Sequence, residues 1–209
     1  MLVLLVATSL ASAGHERIVM VNYSEAVEFR ISYCQFIDLY CDVQEGDRRS
    51  GGAIKITSET HTVFYTYVNY FSNCRVENAF DGGAVHFLSN QGEVYMYRNC
   101  GHDCYAYYGS FVTVRAGIAE VNESTYLLCA RRNADRAYAS STSLNQGDII
   151  FQNHNVSYNW VRNTGCGLGT HNLTRLRAMF CTFASNEAGD GPYSNVLSCM
   201  RASVPDSVH

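Results

Sequence analysis

The sequence predicts an all-β fold in which short parallel strands stack as a solenoid, a parallel β-helix of about seven rungs. Three observations predict it. Cys41-Asp42-Val43-Gln44-Glu45 leads to Gly51-Gly52-Ala53-Ile54-Lys55-Ile56, and Cys74-Arg75-Val76-Glu77-Asn78 leads to Gly82-Gly83-Ala84-Val85-His86-Phe87, so Cys-x-Val followed by Gly-Gly-Ala-aliphatic-x-apolar occurs twice in the same order. The anchors Cys74, Cys100, Cys129, His154 and Cys181 follow one another at 26, 29, 25 and 27 residues. Between anchors lie alternating segments such as Ala84-Val85-His86-Phe87 and Val94-Tyr95-Met96-Tyr97, too short for helices and separated by Gly, Asn, Asp and Ser.

The elements follow in chain order. Leu2 to Leu10 is almost wholly apolar and Ala11-Ser12-Ala13 presents small residues, so residues 1–13 are expected to be a signal peptide cut before Gly14. Residues 14–32 are expected to form an N-terminal cap or first rung, residues 33–200 the parallel β-helix, and residues 201–209 a C-terminal tail. Within the coil, Gly51, Gly52, Gly82, Gly83 and Gly109 mark repeat corners, where a residue with Cβ does not follow the backbone. Later copies are degenerate: Gly109-Ser110-Phe111-Val112 replaces the second glycine and the alanine, and only Leu127-Leu128-Cys129, Ile149-Ile150-Phe151 and Met179-Phe180-Cys181 remain of the others.

A single rung leaves its apolar side bare. Successive rungs pair strand on strand about 4.8 Å apart, so equivalent Cys, Asn and aliphatic residues fall over one another and share one interior. A sandwich gives no reason for a Gly-Gly-Ala corner to return at this interval, and helical repeats need a 3.6 period that no stretch beyond the leader sustains.

With 47% hydrophobic and 16% charged residues the 209-residue chain is too apolar for disorder, and a formal net charge of -4 argues against a nucleic-acid partner. No later segment is long and apolar enough to span a membrane, so none is expected in the mature chain. Sequons at Asn22, Asn122, Asn155 and Asn172 are glycosylation candidates that agree with the leader in predicting a secreted or extracellular surface protein. Nine cysteines leave at least one unpaired; their spacing lacks Cys-x-x-Cys pairs, so they read as small buried hydrophobes with some disulfides, and no metal or other cofactor is expected.

Gly51-Gly52-Ala53-Ile54, Gly82-Gly83-Ala84-Val85 and Phe183-Ala184-Ser185-Asn186 resemble the GGA(I/V/L) and FxxN repeats of polymorphic outer-membrane proteins, whose passenger regions are of the pectin-lyase-like type. The chain looks most like the large family of such proteins in trichomonad protists. The resemblance implies a right-handed, single-stranded β-helix and a secreted or cell-surface scaffold for adhesion to host or self surface proteins or glycans.

Pectin-lyase-like coils include polysaccharide lyases and hydrolases, so the alternatives are a degenerate enzyme of that kind or an inactive truncated copy. Gly101-His102-Asp103 is a faint match to a polygalacturonase element, but its accompanying acidic motifs are absent and the single lysine is Lys55, so no catalytic residue is assigned. Arg48-Arg49 and Arg131-Arg132 read as solvated loop edges. The feature with functional promise is aromatic: alternation puts Tyr65 and Tyr67 on one face of a strand and Tyr95 and Tyr97 on one face of the next, a candidate ligand-facing strip, with Tyr70, Tyr105, Tyr107 and Tyr108 nearby in sequence.

Overall fold

The computed structural model describes residues 5–7, 17–23, 26–41, 50–76, 81–129, 142–161, 167–188, 197–200 and 207–208. Among these the chain is all-β, without a helix, and every strand pair is parallel. The large sheet has eleven strands, with Val27–Ser32, Thr62–Tyr67, Val85–Tyr97, Val112–Asn122, Thr142–Gln152, Leu168–Met179 and Leu197–Met200 side by side in chain order. A second sheet stacks six three-residue strands, from Gln35–Ile37 through Tyr70–Ser72, Cys100–His102, Thr125–Leu127 and Asn155–Ser157 to Thr182–Ala184. Inside the region expected to be leader, Leu5–Ala7 pairs with Phe29 to Ile31, and in the expected tail Ser207–Val208 pairs with Arg177 and Ala178.

Alternation decides which side chains enter. In the large sheet Phe29, Phe64, Val94, Ala119, Ile149 and Leu176 stand opposite one another in successive strands and are all buried. Phe36 and Phe71 meet them from the second sheet, stacked with centroids 4.9 Å apart. Side chains meeting from the two sheets form one buried cluster, as close packing of the interior requires.

Equivalent residues stand 30, 25, 30 and 27 positions apart, as the bonds from Asn69 to Asn99, Asn99 to Ser124, Cys129 to Asn159 and Asn159 to Asn186 measure directly. The spacings counted from the cysteines therefore mix two columns. Cys74 stands over Cys104 and Cys104 over Cys129, whereas Cys100 pairs with Tyr70 and Thr125, and His154 and Cys181 continue the column of Asn69 and Asn99.

Three kinds of corner turn the chain. Gly51, Gly82 and Gly109 have φ of 65°, 69° and 58° and lie over one another, since the Gly52 N–H donates to the Gly82 carbonyl and the Gly83 N–H to the Gly109 carbonyl. Ala53 and Ala84 follow in the same register, the Ala53 N–H donating to the Ala84 carbonyl at 2.9 Å. The other two corners use no glycine. Tyr33, Val68, Arg98, Glu123, Asn153 and Phe180 precede the three-residue strands and Asp38, Asn73, Asp103, Leu128, Tyr158 and Ser185 follow them, all at φ between 50° and 58°. Left-handed backbone costs an ordinary residue roughly 1–2 kcal/mol. It persists here because the interstrand ladder runs through each corner: the Val68 N–H reaches the Tyr97 carbonyl and the Asn73 N–H the His102 carbonyl.

Polar ladders fill the buried sides of these corners. Asn69 Oδ1 accepts the Cys34 N–H at 2.9 Å, Asn99 Oδ1 accepts the Asn69 N–H at 3.2 Å, and Asn159 Oδ1 accepts the Cys129 N–H at 2.7 Å. Asn186, from the FxxN segment, repeats the contact for the Asn159 N–H. Cys74, Cys104 and Cys129 are buried free thiols, and burial together with its two cysteine neighbours holds the Cys104 thiol well above its ordinary pKa.

His154 and His86 make stability depend on pH. Burial lowers His154 from 6.5 to about 4 while its Nε2 donates to the Val121 carbonyl; burial, then the charges of Lys55 and Arg115, lowers His86 to about 3. The unfolded chain binds these protons near the ordinary 6.5, so the contribution is complete above that pH and is lost as pH falls toward the folded values. Asp81 acts in the opposite sense: burial raises it to about 6 against the pull of Arg115 and Lys55, so protonation between 6 and 3.8 favours the folded state. At pH 5 the two histidines are expected to remove about 2 kcal/mol each and Asp81 to offset about 1. Urea midpoints at pH 7.5 and 5 check this, and a midpoint that rises on acidification contradicts it.

Candidate functional site: a tyrosine-lined groove

The outward positions of the strand Val27–Ser32 are Glu28, Arg30 and Ser32, and those of Thr62–Tyr67 are Val63, Tyr65 and Tyr67. Parallel register carries each forward without slippage. Arg30, Tyr65, Tyr95 and Glu120 form one row, Ser32, Tyr67, Tyr97 and Asn122 a second, and Glu28, Val63, Glu93 and Ile118 a third. The four tyrosines expected to share a face therefore do so, in adjacent rows.

Their rings stack. Tyr65 and Tyr95 lie at 4.9 Å between centroids and 13° from parallel, and the Arg30 guanidinium carbon sits 4.5 Å from the Tyr65 centroid. Because Arg30 and Tyr95 flank Tyr65 in the row, both faces of Tyr65 are covered. Tyr33 packs edge-on to Tyr67 at 5.5 Å, and Arg98 Nη1 donates to the Tyr67 hydroxyl at 3.3 Å. Between the two tyrosine rows runs a groove of about 280 Å³ lined by Arg30, Ser32, Tyr65, Tyr67, Tyr95 and Tyr97.

Carboxylates border the rings. Tyr95 donates its hydroxyl to Glu93 Oε2 at 2.7 Å, and His61 Nε2 meets Glu93 Oε1 at 3.1 Å; these two bonds hold the Glu93 carboxyl below its ordinary range. The bond to Glu93, with burial, pushes the Tyr95 phenol up to about 12, while burial and then a hydrogen bond to Glu120 push Tyr97 up as well. Arg30 is paired with Glu28. At neutral pH the Tyr95 and Tyr97 phenols thus stay protonated and the Glu93 carboxyl beside Tyr95 ionised, giving the aromatic groove a polar edge.

No family model, curated protein or solved structure matches this chain. Its own geometry therefore carries the functional argument.

The remaining candidates lie elsewhere. Tyr70 pairs with Cys100 in the second sheet, and Tyr107 and Tyr108 pack on each other at 4.7 Å away from the groove. His102 ends a strand and Asp103 occupies a left-handed corner with its N–H donating to the Leu127 carbonyl. Among the sequons, Asn155 and Asn172 are exposed, whereas Asn122 is 8% exposed and its Oδ1 accepts from Asn153 Nδ2 at 3.0 Å. Asn22 lies in the strand Ile18–Tyr23, with its side chain outside the described residues, as are Arg48-Arg49, Arg131-Arg132 and Cys166.

Sequence reasoning missed Arg30, Glu93 and Glu120. The signal was present in the alternation Glu28-x-Arg30-x-Ser32, which has the same phase as Val63-x-Tyr65-x-Tyr67. It also missed that Lys55 and His86, which the aligned Gly-Gly-Ala blocks place over one another, are buried at 6% and 7% exposure, with Asp81 and Arg115 close enough to interact electrostatically.

Proposed function

We propose that this chain is a right-handed, single-stranded parallel β-helix of about seven rungs that serves as a non-enzymatic secreted or cell-surface scaffold, meeting proteins or glycans through its lateral tyrosine groove. Parallel pairing at recurrent offsets, with Ala53 bonded to Ala84 and Gly51 over Gly82, supports the coil, and crossovers between parallel strands of one sheet are right-handed in about 98% of cases. The leader, the GGA blocks and the resemblance they carry support the compartment. The observation that carries the binding role is the convergence of Tyr65, Tyr67, Tyr95 and Tyr97 on one half-exposed groove. Tyrosine there offers apolar area at low entropic cost together with a polar tip.

The test uses the full chain made in a secretory host. Protein from the medium is expected to begin at Gly14 and to carry glycans at Asn155 and Asn172 rather than at Asn122, as peptide mass spectrometry reads. The double variant Tyr65→Ser/Tyr95→Ser is expected to lose the cell or matrix binding of the parent. Unglycosylated cytosolic protein retaining Met1, or unchanged binding by the double variant, overturns the reading. So does cleavage of pectin, alginate or chondroitin that disappears in Asp103→Ala.

A further inference from the structure

We propose that the buried column Cys74, Cys104, Cys129 is a binding site for a soft monovalent cation, Cu(I), held in line between the sulfurs of successive storeys. The site lies in the core and is independent of the tyrosine groove.

Register builds the column. The Tyr105 N–H donates to the Cys74 carbonyl, and Cys100–His102 pairs residue for residue with Thr125–Leu127, so each of the three cysteines follows a left-handed corner residue and lies over the next. The Cys104 thiol is within hydrogen-bond reach of the other two. All three are free thiols of the hydrophobic core at 0% exposure. Leu39 and Asn159 close the column: the Arg75 N–H donates to the Leu39 carbonyl, and Asn159 Oδ1 accepts the Cys129 N–H at 2.7 Å. The thiols otherwise make only long contacts, Cys74 to the Phe36 carbonyl at 3.4 Å, Cys104 to that of His102 at 3.5 Å and Cys129 to that of Leu127 at 3.6 Å. A thiol is a weak donor, so a bound ion displaces little.

Spacing chooses between a disulfide and a metal. Parallel strands in register hold equivalent Cβ atoms about 4.8 Å apart. A disulfide needs them at about 3.8 Å, so closing one pulls two storeys together by about 1 Å against the ladder on either side. Two metal–thiolate bonds of about 2.3 Å laid end to end span about 4.6 Å, which a small rotation about χ1 accommodates without moving the backbone. Among the described residues no three His, Cys, Asp or Glu side chains group to hold one ion, so the tetrahedral set that zinc takes is not formed there. The column instead offers pairs of sulfurs in line, the coordination that closed-shell monovalent ions accept, and soft thiolates select Cu(I). Each ion forms a bond to one sulfur, displacing its proton to solvent, and takes a lone pair from the next. Two ions among three sulfurs bring in two positive charges and release two protons, so the column stays neutral. Burial, which holds the Cys104 thiol well above its ordinary pKa, penalises a bare thiolate and favours this neutral arrangement.

Ag(I), which shares this coordination and is not oxidised in air, tests the site. The full chain is refolded from urea with excess Ag(I) and dialysed against glutathione, a monothiol that strips ions held by a single sulfur. Elemental analysis is expected to find two ions per chain in the parent and one in Cys74→Ala or Cys129→Ala. Cys104→Ala is expected to hold none, because sulfurs two storeys apart, about 10 Å, cannot share an ion. Cys181→Ala, outside the column, is expected to keep both. X-ray absorption at the silver edge is expected to show two sulfur neighbours in the parent, which decides the matter even if Cys104→Ala impairs folding. Retention of silver by Cys104→Ala, equal losses from all four variants, or a nitrogen or third sulfur neighbour overturns the proposal. So does a disulfide joining Cys104 to Cys74 or Cys129 in protein recovered from the medium.

Discussion

Gly83→Ala is expected to destabilise the chain by about 3 kcal/mol or more, at the upper end of overpacking effects. A Cβ at that position meets the Ser110 carbonyl oxygen at 2.0 Å and the Tyr105 backbone nitrogen and carbon at 2.7 Å. All three are main-chain atoms of the next strand layer, so no rotamer relieves the contact. Relief requires moving that layer away, and the Gly83 N–H bond to Gly109 and the Ala84 N–H bond to Phe111 are lost with it. Gly52→Ala meets the Gly83 carbonyl at 2.1 Å and belongs to the same class. The control is Ser110→Ala: the buried Ser110 hydroxyl has no hydrogen-bond partner, so its removal is expected to be neutral or slightly stabilising. Urea unfolding of the three variants measures the contrast, and a cost below about 1 kcal/mol for Gly83→Ala rules out this close approach.

Asn99→Ala is expected to cost about 3 kcal/mol, as the removal of a buried side chain that satisfies several partners. Its Oδ1 accepts from the Asn69 N–H, from Asn69 Nδ2 and from Thr66 Oγ1, and its Nδ2 donates to the Thr66 carbonyl at 3.3 Å. Alanine strands these groups where water does not reach, since Asn69, Thr66 and Asn99 are all buried. Asn73→Ala, which loses one exposed bond to Asp38 at 2.7 Å and puts alanine at the left-handed φ of 50° that asparagine tolerates better, is expected to cost about 1 kcal/mol. Amide exchange separates the cases further: Asn69 and its neighbours are expected to lose protection in Asn99→Ala and to keep it in Asn73→Ala. Equal effects of the two substitutions contradict a buried ladder at the corner.

These two residues differ in how visible they are from sequence. A Gly-Gly-Ala corner is legible because its cause is local: φ is positive at Gly51, Gly82 and Gly109, and glycine tolerates that with least strain. The tyrosine face is legible for a similar reason, because a period of two assigns Tyr65 and Tyr67, and then Tyr95 and Tyr97, to one side of their strands before any partner is known. Asn99 carries no such mark. Its column continues as Ser124, His154 and Cys181, four side chains united by serving the same buried corner rather than by chemistry.

What the sequence by itself determined is the all-β character, the glycine corners and the outward phase of the tyrosines, since each depends on a residue and its immediate neighbours. Tertiary structure alone decided which residue lies over which outside the Gly-Gly-Ala blocks: Cys104 rather than Cys100 over Cys74, Arg30 over Tyr65, and Glu120 beside Tyr95. The reason is that alignment between strands is set by the number of residues spent in each corner. Those corners include left-handed positions held by Val68, Arg98, Glu123 and Phe180, residues whose identity does not announce that backbone and whose conformation is maintained by hydrogen bonds from the strands on either side.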